Sequence, residues 1–74
     1  MDNLRLEAVY DLAGLAVACL MPGQEFRGAF QWADQFGLEG IERKVFCTLF
    51  ISLLNEKGRF ICDKKNNTIL DIMG

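Results

Sequence analysis

The segment Glu39 to Asn55, EGIERKVFCTLFISLLN, constrains this chain more than any other part of it. Set about 100° apart, Val45, Leu49, Leu53, Phe46, Phe50, Leu54 and Cys47 cover an arc of about 200°, wider than the apolar stripe of a surface helix. A helix of that kind has to be wrapped by other elements, so it is expected at the centre of the domain. Its remaining side carries Lys44, Thr48, Ser52 and Asn55, interrupted by Ile51. Asn55, Glu56, Lys57 and Gly58 are expected to end it.

Two earlier segments can do the wrapping. Asp2 to Leu20 reads as a helix, with Leu4, Ala8, Leu12, Leu15, Ala16, Cys19 and Leu20 recurring at three- and four-residue spacing and Arg5, Glu7 and Asp11 off that stripe. Asp2 is the expected N-cap and Pro22-Gly23 the stop. Gly14 and Ala18, four apart, offer a shallow spot for a second helix. Gln24 to Phe36 reads as a second helix that buries Phe26, Ala29, Phe30 and Ala33. Its end, Phe36-Gly37-Leu38, has the form of a Schellman motif, with Gly37 left-handed and Leu38 folded back on the last turn. Trp32 falls off the tightest stripe; it either packs at the core edge or stands out as an anchor for a partner.

The tail NEKGRFICDKKNNTILDI reads as a hairpin. Phe60, Cys62, Leu70 and Ile72 share one face if the loop is Lys65-Asn66-Asn67, which pairs Lys64 with Thr68, Cys62 with Leu70 and Phe60 with Ile72. Asn67 is then the left-handed residue, and Ile61 and Ile69 face away. Two strands alone are marginal in water, so the Phe60 face is expected to lie on the helices.

A chain of 74 residues makes one domain, residues 1–74, and buries only roughly 60% of its unfolded surface. An apolar fraction of 51%, with eight aromatics, supplies a core and leaves apolar surface over, so a homodimer is among the expectations. Cys19, Cys47 and Cys62 are odd in number and set among apolar residues, which suits buried thiols in a reducing compartment. Without His or a C-x-x-C pair, no metal site and no cofactor are expected. The run LAGLAVACLM is too short to span a bilayer, and the segment before it lacks the positive charge of an export signal. A cytoplasmic protein with no membrane association is the expectation.

Catalysis finds little support. No His is present to titrate near neutral pH, Ser52 has no evident base, and neither a Gly-rich phosphate loop nor a paired-carboxylate motif occurs. A non-enzymatic protein, with no catalytic residues, is therefore expected. Residues 39–74 hold six basic and five acidic groups, net +1, whereas residues 1–38 hold two basic and five acidic, net −3. The overall charge of −2 gives no global attraction to phosphate.

From Trp32 to Ile72, WADQFGLEGIERKVFCTLFISLLNEKGRFICDKKNNTILDI resembles the winged helix-turn-helix family. In that family a short helix ends at a glycine and a leucine, a recognition helix follows, and a phrase like NEKGRF leads into the wing. The resemblance implies an α+β, mostly helical, winged-helix-like fold: three helices followed by a C-terminal β-hairpin. It also implies Ala33, Gly37 and Leu38 as turn residues, Lys44, Thr48 and Ser52 facing a major groove, and Lys64 to Asn67 as wing tip. This third helix is about one turn longer than usual for the family, and Glu39 and Glu42 stand where phosphate contacts are wanted. In size and composition the chain is also similar to phage or mobile-element inhibitors, anti-CRISPR proteins among them. The expected function is that of a regulator or inhibitor that binds a protein complex, with DNA binding as the alternative. Trp32, Arg43, Lys44, Lys57, Arg59, Lys64 and Lys65 are the expected contacts.

Overall fold

The computed structural model describes the backbone of residues 3–73 and the side chains of residues 6–73. Three helices, α1 (Asn3–Ala18), α2 (Ala29–Gln35) and α3 (Gly40–Lys57), precede an antiparallel hairpin of β1 (Arg59–Asp63) and β2 (Thr68–Met73). The α+β, mostly helical order is therefore as the sequence indicates. The N-cap expected at Asp2 and the stripe residue Leu4 lie outside the described side chains.

α3 is the centre. Phe46 and Phe50 are wholly buried, and burial of a side chain of that size contributes about 1.5–3 kcal/mol. Their rings stack at 5.8 Å, and Phe36 meets Phe46 edge-on at 5.8 Å while stacking on Trp32 at 5.6 Å. The resulting aromatic row runs from α2 through the interior of α3. Ring pairs at such separations add to simple area burial.

α1 packs along α3 on a face turned only partly from the expected stripe: Ala16 and Leu20 are buried and Leu12 packs against the core, as the spacing indicates. The buried residues are Val9, Ala13, Ala16, Val17 and Leu20, whereas Ala8, Leu15 and Cys19 are exposed. Two large phenylalanines already fill the shared core, so α1 supplies small side chains to it. Gly14 and Ala18 also face outward, and a Cβ at Gly14 would meet no atom within 4 Å; no helix approaches there.

α2 is shorter than its pattern implies. Gln24 to Phe26 is extended instead of helical, because its backbone pairs with the outer edge of β2. Gly23 N–H donates to Ile69 O, Ile69 N–H to Gln24 O and Phe26 N–H to Asn67 O, each at 2.8 Å, and Glu25 and Thr68 form a bridge. The Asn67 side-chain amide adds a 2.7 Å bond to Phe26 O. Edge groups that a two-stranded hairpin would leave open are thus satisfied. α2 then begins after Gly28, whose N–H donates to Gln31 Oε1 at 2.9 Å. Phe30, expected inside, points out.

The end of α2 follows the sequence. Gly37 has φ +70°, and the N–H groups of Gly37 and Leu38 donate to Asp34 O and Ala33 O at 3.1 and 3.0 Å. These are the two bonds of a Schellman motif, and Leu38 is buried beneath it. α3 runs two residues past Asn55 before Gly58 ends it.

The hairpin keeps Phe60 opposite Ile72 but departs from the expected register beyond it. Cys62 pairs with Ile69, Asp63 with Thr68, and the ladder shifts between Ile61 and Cys62. Leu70 is the extra residue of a β-bulge. The bulge flips the parity of β2, so Ile69 is fully buried and Leu70 is 59% exposed, the reverse of strict alternation. Ile69 and Ile72 both reach the helices as a result. The loop is Lys64 to Asn67, one residue longer at its start than expected, and Asn67 is left-handed at φ 54°.

Candidate functional site

The seven expected contact residues separate into two groups. Three are engaged within the fold. Trp32 is only 8% exposed, stacked on Phe36 with the Arg27 guanidinium 5.3 Å from its ring centre. It packs in the core, the first of the two placements that its sequence position left open. Its Nε1 hydrogen has no acceptor among the described residues.

Arg43 reaches from α3 to α2, where it forms a 2.5 Å ion pair with Asp34 and lies 5.3 Å from the centre of the Phe30 ring. It fastens the two helices at the turn. Lys57 is turned inward: its Nζ donates to Val17 O at 2.9 Å and to Leu20 O at 2.8 Å. A cation on the last carbonyls of α1 satisfies unpaired acceptors and opposes the negative end of that helix. Neither Arg43 nor Lys57 is a free surface charge: each already has a partner within the fold.

The other four, Lys44, Arg59, Lys64 and Lys65, are exposed and form no side-chain bond among the described residues. Lys64 and Lys65 adjoin in the hairpin loop, whereas Arg59 and Lys44 stand on other elements. Arg59 starts β1 and Lys64 follows its last residue, a separation of roughly 17 Å in an extended strand, while Lys44 stands on α3. A phosphate-tracking surface needs several cations along one track.

What does converge is apolar. Tyr10 of α1 and Ile41, Val45 and Leu49 of α3 line a groove of about 360 Å³, with Lys44 and Thr48 on its rim. Tyr10 and Ile41 are 54% and 58% exposed. Ile51 is exposed as well, so two isoleucines interrupt the polar side of α3 that holds Lys44, Thr48, Ser52 and Asn55. Sequence reasoning found the polar members and noted Ile51 but missed Tyr10 and Ile41. The available signal was a pair of large apolar residues on the otherwise polar side of the central helix.

A second depression, of about 230 Å³, is lined by Cys19, Gln24, Glu25, Arg27 and Trp32. Its charged groups are mutually engaged: Arg27 pairs with Glu25 at 3.5 Å and donates to Gln35 Oε1. All three cysteines are free thiols, and no cluster of metal-ligating residues occurs among the described residues. No described helix is long and apolar enough to cross a membrane.

No family model, curated protein or solved structure matches this chain.

Proposed function

We propose that this protein is a small cytoplasmic, non-enzymatic regulator of the inhibitor or adaptor kind, which acts by docking on a partner protein through the α1–α3 face. The observation that carries the reading is the apolar groove that Tyr10 of α1 forms with Ile41, Val45 and Leu49 of the central helix. Exposed apolar residues gathered around a concavity are what a protein partner's side chains fill, and Tyr is favoured in such contacts. Lys44 at the rim suits a partner segment that carries an acidic residue beside its apolar anchors.

The DNA reading rests on one specific observation, that Lys44, Thr48 and Ser52 share the solvent face of α3 while Lys64 and Lys65 occupy the hairpin tip. Two features weigh against it: the isoleucines among those donors, and Glu39 and Glu42 at the start of α3. Both disfavour a phosphate backbone.

The test is photo-crosslinking from a benzoylphenylalanine placed at position 10, in cells of the native host, with and without Ile41→Asp. Discrete protein adducts that vanish with Ile41→Asp are expected. Adducts to nucleic acid, or protein adducts indifferent to Ile41→Asp, would overturn the reading.

A further inference from the structure

The hairpin has two edges, and only one of them is closed. β2 is covered on its outer side by Gln24 to Phe26 through the backbone bonds described above. The outer side of β1 has no backbone partner among the described residues. An uncovered strand edge is a template for another strand unless its side chains repel one.

The side chains of β1 do the opposite for one particular visitor. Its sequence, Arg59-Phe60-Ile61-Cys62-Asp63, carries a cation at one end, an anion at the other and three apolar residues between. An antiparallel strand that places Ile61 opposite its own copy sets Arg59 against Asp63 of the second copy, at both ends. The same register sets Phe60 against Cys62. Alternation along the strand keeps these sets on separate faces: Arg59, Ile61 and Asp63 on the outer one, Phe60 and Cys62 on the side that meets the helices. Arg59 and Ile61 are exposed, while Phe60 and Cys62 are half-buried.

We infer that the protein forms a two-fold symmetric dimer by pairing β1 with β1 of a second copy, giving a continuous antiparallel sheet of β2, β1, β1 and β2. The occupant is argued from charge. A twofold axis at Ile61 converts the opposite charges of one strand into two ion pairs, whereas a parallel copy would set Arg59 beside Arg59 and Asp63 beside Asp63. An isologous interface requires self-complementarity of this kind. Arg59 has no ion-pair partner among the described residues. Asp63 already accepts from the Lys65 N–H at 3.0 Å and from the Asn66 amide at 3.4 Å, and a carboxylate retains further lone pairs for a guanidinium. On the outer face the half-exposed Ile61 of each copy packs on the other; within each chain Asp71 stands opposite Ile61 and Met73 opposite Arg59. This surface is separate from the α1–α3 groove, so the dimer would stand whether or not that groove binds a protein.

Sedimentation velocity over a concentration series, with far-UV circular dichroism as the fold control, tests the interface. The wild-type chain is expected to shift from monomer to dimer as concentration rises. Arg59→Asp lies on an exposed, unpaired side chain and sets acids against acids at both ends. Two cross-strand pairs turned from attraction to repulsion weaken association by about thirtyfold. Asp63→Asn, which keeps an acceptor oxygen for the Lys65 N–H, is expected to weaken it by a few-fold. An equimolar mixture of Arg59→Asp and Asp63→Arg chains regains both ion pairs and is expected to form the mixed dimer more tightly than either variant associates alone. A wild-type chain that stays monomeric at millimolar concentration would overturn the proposal. So would a dimer whose affinity is indifferent to both Arg59→Asp and Asp63→Asn.

Discussion

The Lys57 ammonium, in the last turn of α3, donates to Leu20 O at 2.8 Å and thereby holds the C-terminus of α1 against the end of the central helix. The same group reaches Val17 O at 2.9 Å. Two residues separated by half the chain are joined by a charge-assisted bond, and Lys57 serves the fold at a point where the sequence offers it as a surface cation.

Lys57→Met keeps the aliphatic stem and removes the donor. It leaves the Val17 and Leu20 carbonyls without their cation, so a loss of about 1–2 kcal/mol is expected. In a domain of this size that lowers Tm by roughly 5–15 °C. Thermal denaturation followed by circular dichroism reads the change, and an unaltered Tm would show that the cap contributes nothing.

The bulge predicts an asymmetry between neighbours. Ile69→Ala empties a fully buried position and should destabilise by about 2–4 kcal/mol, while Leu70→Ala, on an exposed side chain, should change stability by less than about 0.5 kcal/mol. Urea denaturation of the two variants distinguishes this register from strict alternation, which requires the reverse order.

Trp32, the sole tryptophan, is an intrinsic probe of its own burial. Its emission should lie to the blue of an exposed indole and resist quenching by acrylamide. Trp32→Phe deletes a donor that has no acceptor, so relief of that desolvation offsets lost packing and the change should stay within about 1 kcal/mol. Trp32→Ala should cost about 3–5 kcal/mol. A well-folded Trp32→Ala chain with unchanged stability would return Trp32 to the surface.

Gly37 sits at φ +70°, with open space where a Cβ would stand. Gly37→Ala therefore carries only the backbone penalty of a left-handed residue, about 1–2 kcal/mol. A larger loss in chemical denaturation would point to a steric clash, contrary to the space observed.

Local signals were the legible ones. The apolar arc of α3, the Gly37-Leu38 ending of α2 and the left-handed Asn67 each follow from a few adjacent residues, and each is found. Features decided by distant partners were not legible. In α1 the stripe through Leu15 and Cys19 and the face of Val9, Ala13 and Val17 both fit helical spacing, and the bulk of Phe46 and Phe50 selects the second. One inserted residue at Leu70 reverses the parity of β2, and no residue type announces it. Gln24 to Phe26 has helical spacing with Phe30 and Ala33, yet β2 captures its backbone. For the site, Lys44 and Thr48 were legible as solvent-facing, whereas Tyr10 joins them only through the packing of α1 on α3. Arg43 and Lys57 look like free cations until Asp34 and the end of α1 are seen beside them.

On the proposed reading the exposed side of α3 is an apolar docking face and no track for phosphates. Fluorescence-anisotropy titration of a random DNA duplex, repeated from low to physiological salt, distinguishes the two. With Arg43 and Lys57 engaged internally and Lys44, Arg59 and the adjoining Lys64 and Lys65 on separate elements, no saturable binding is expected even at low salt. Tight binding that falls steeply as salt rises, and that weakens when Lys64 and Lys65 are both changed to Glu, would contradict the account and make the hairpin a wing on DNA.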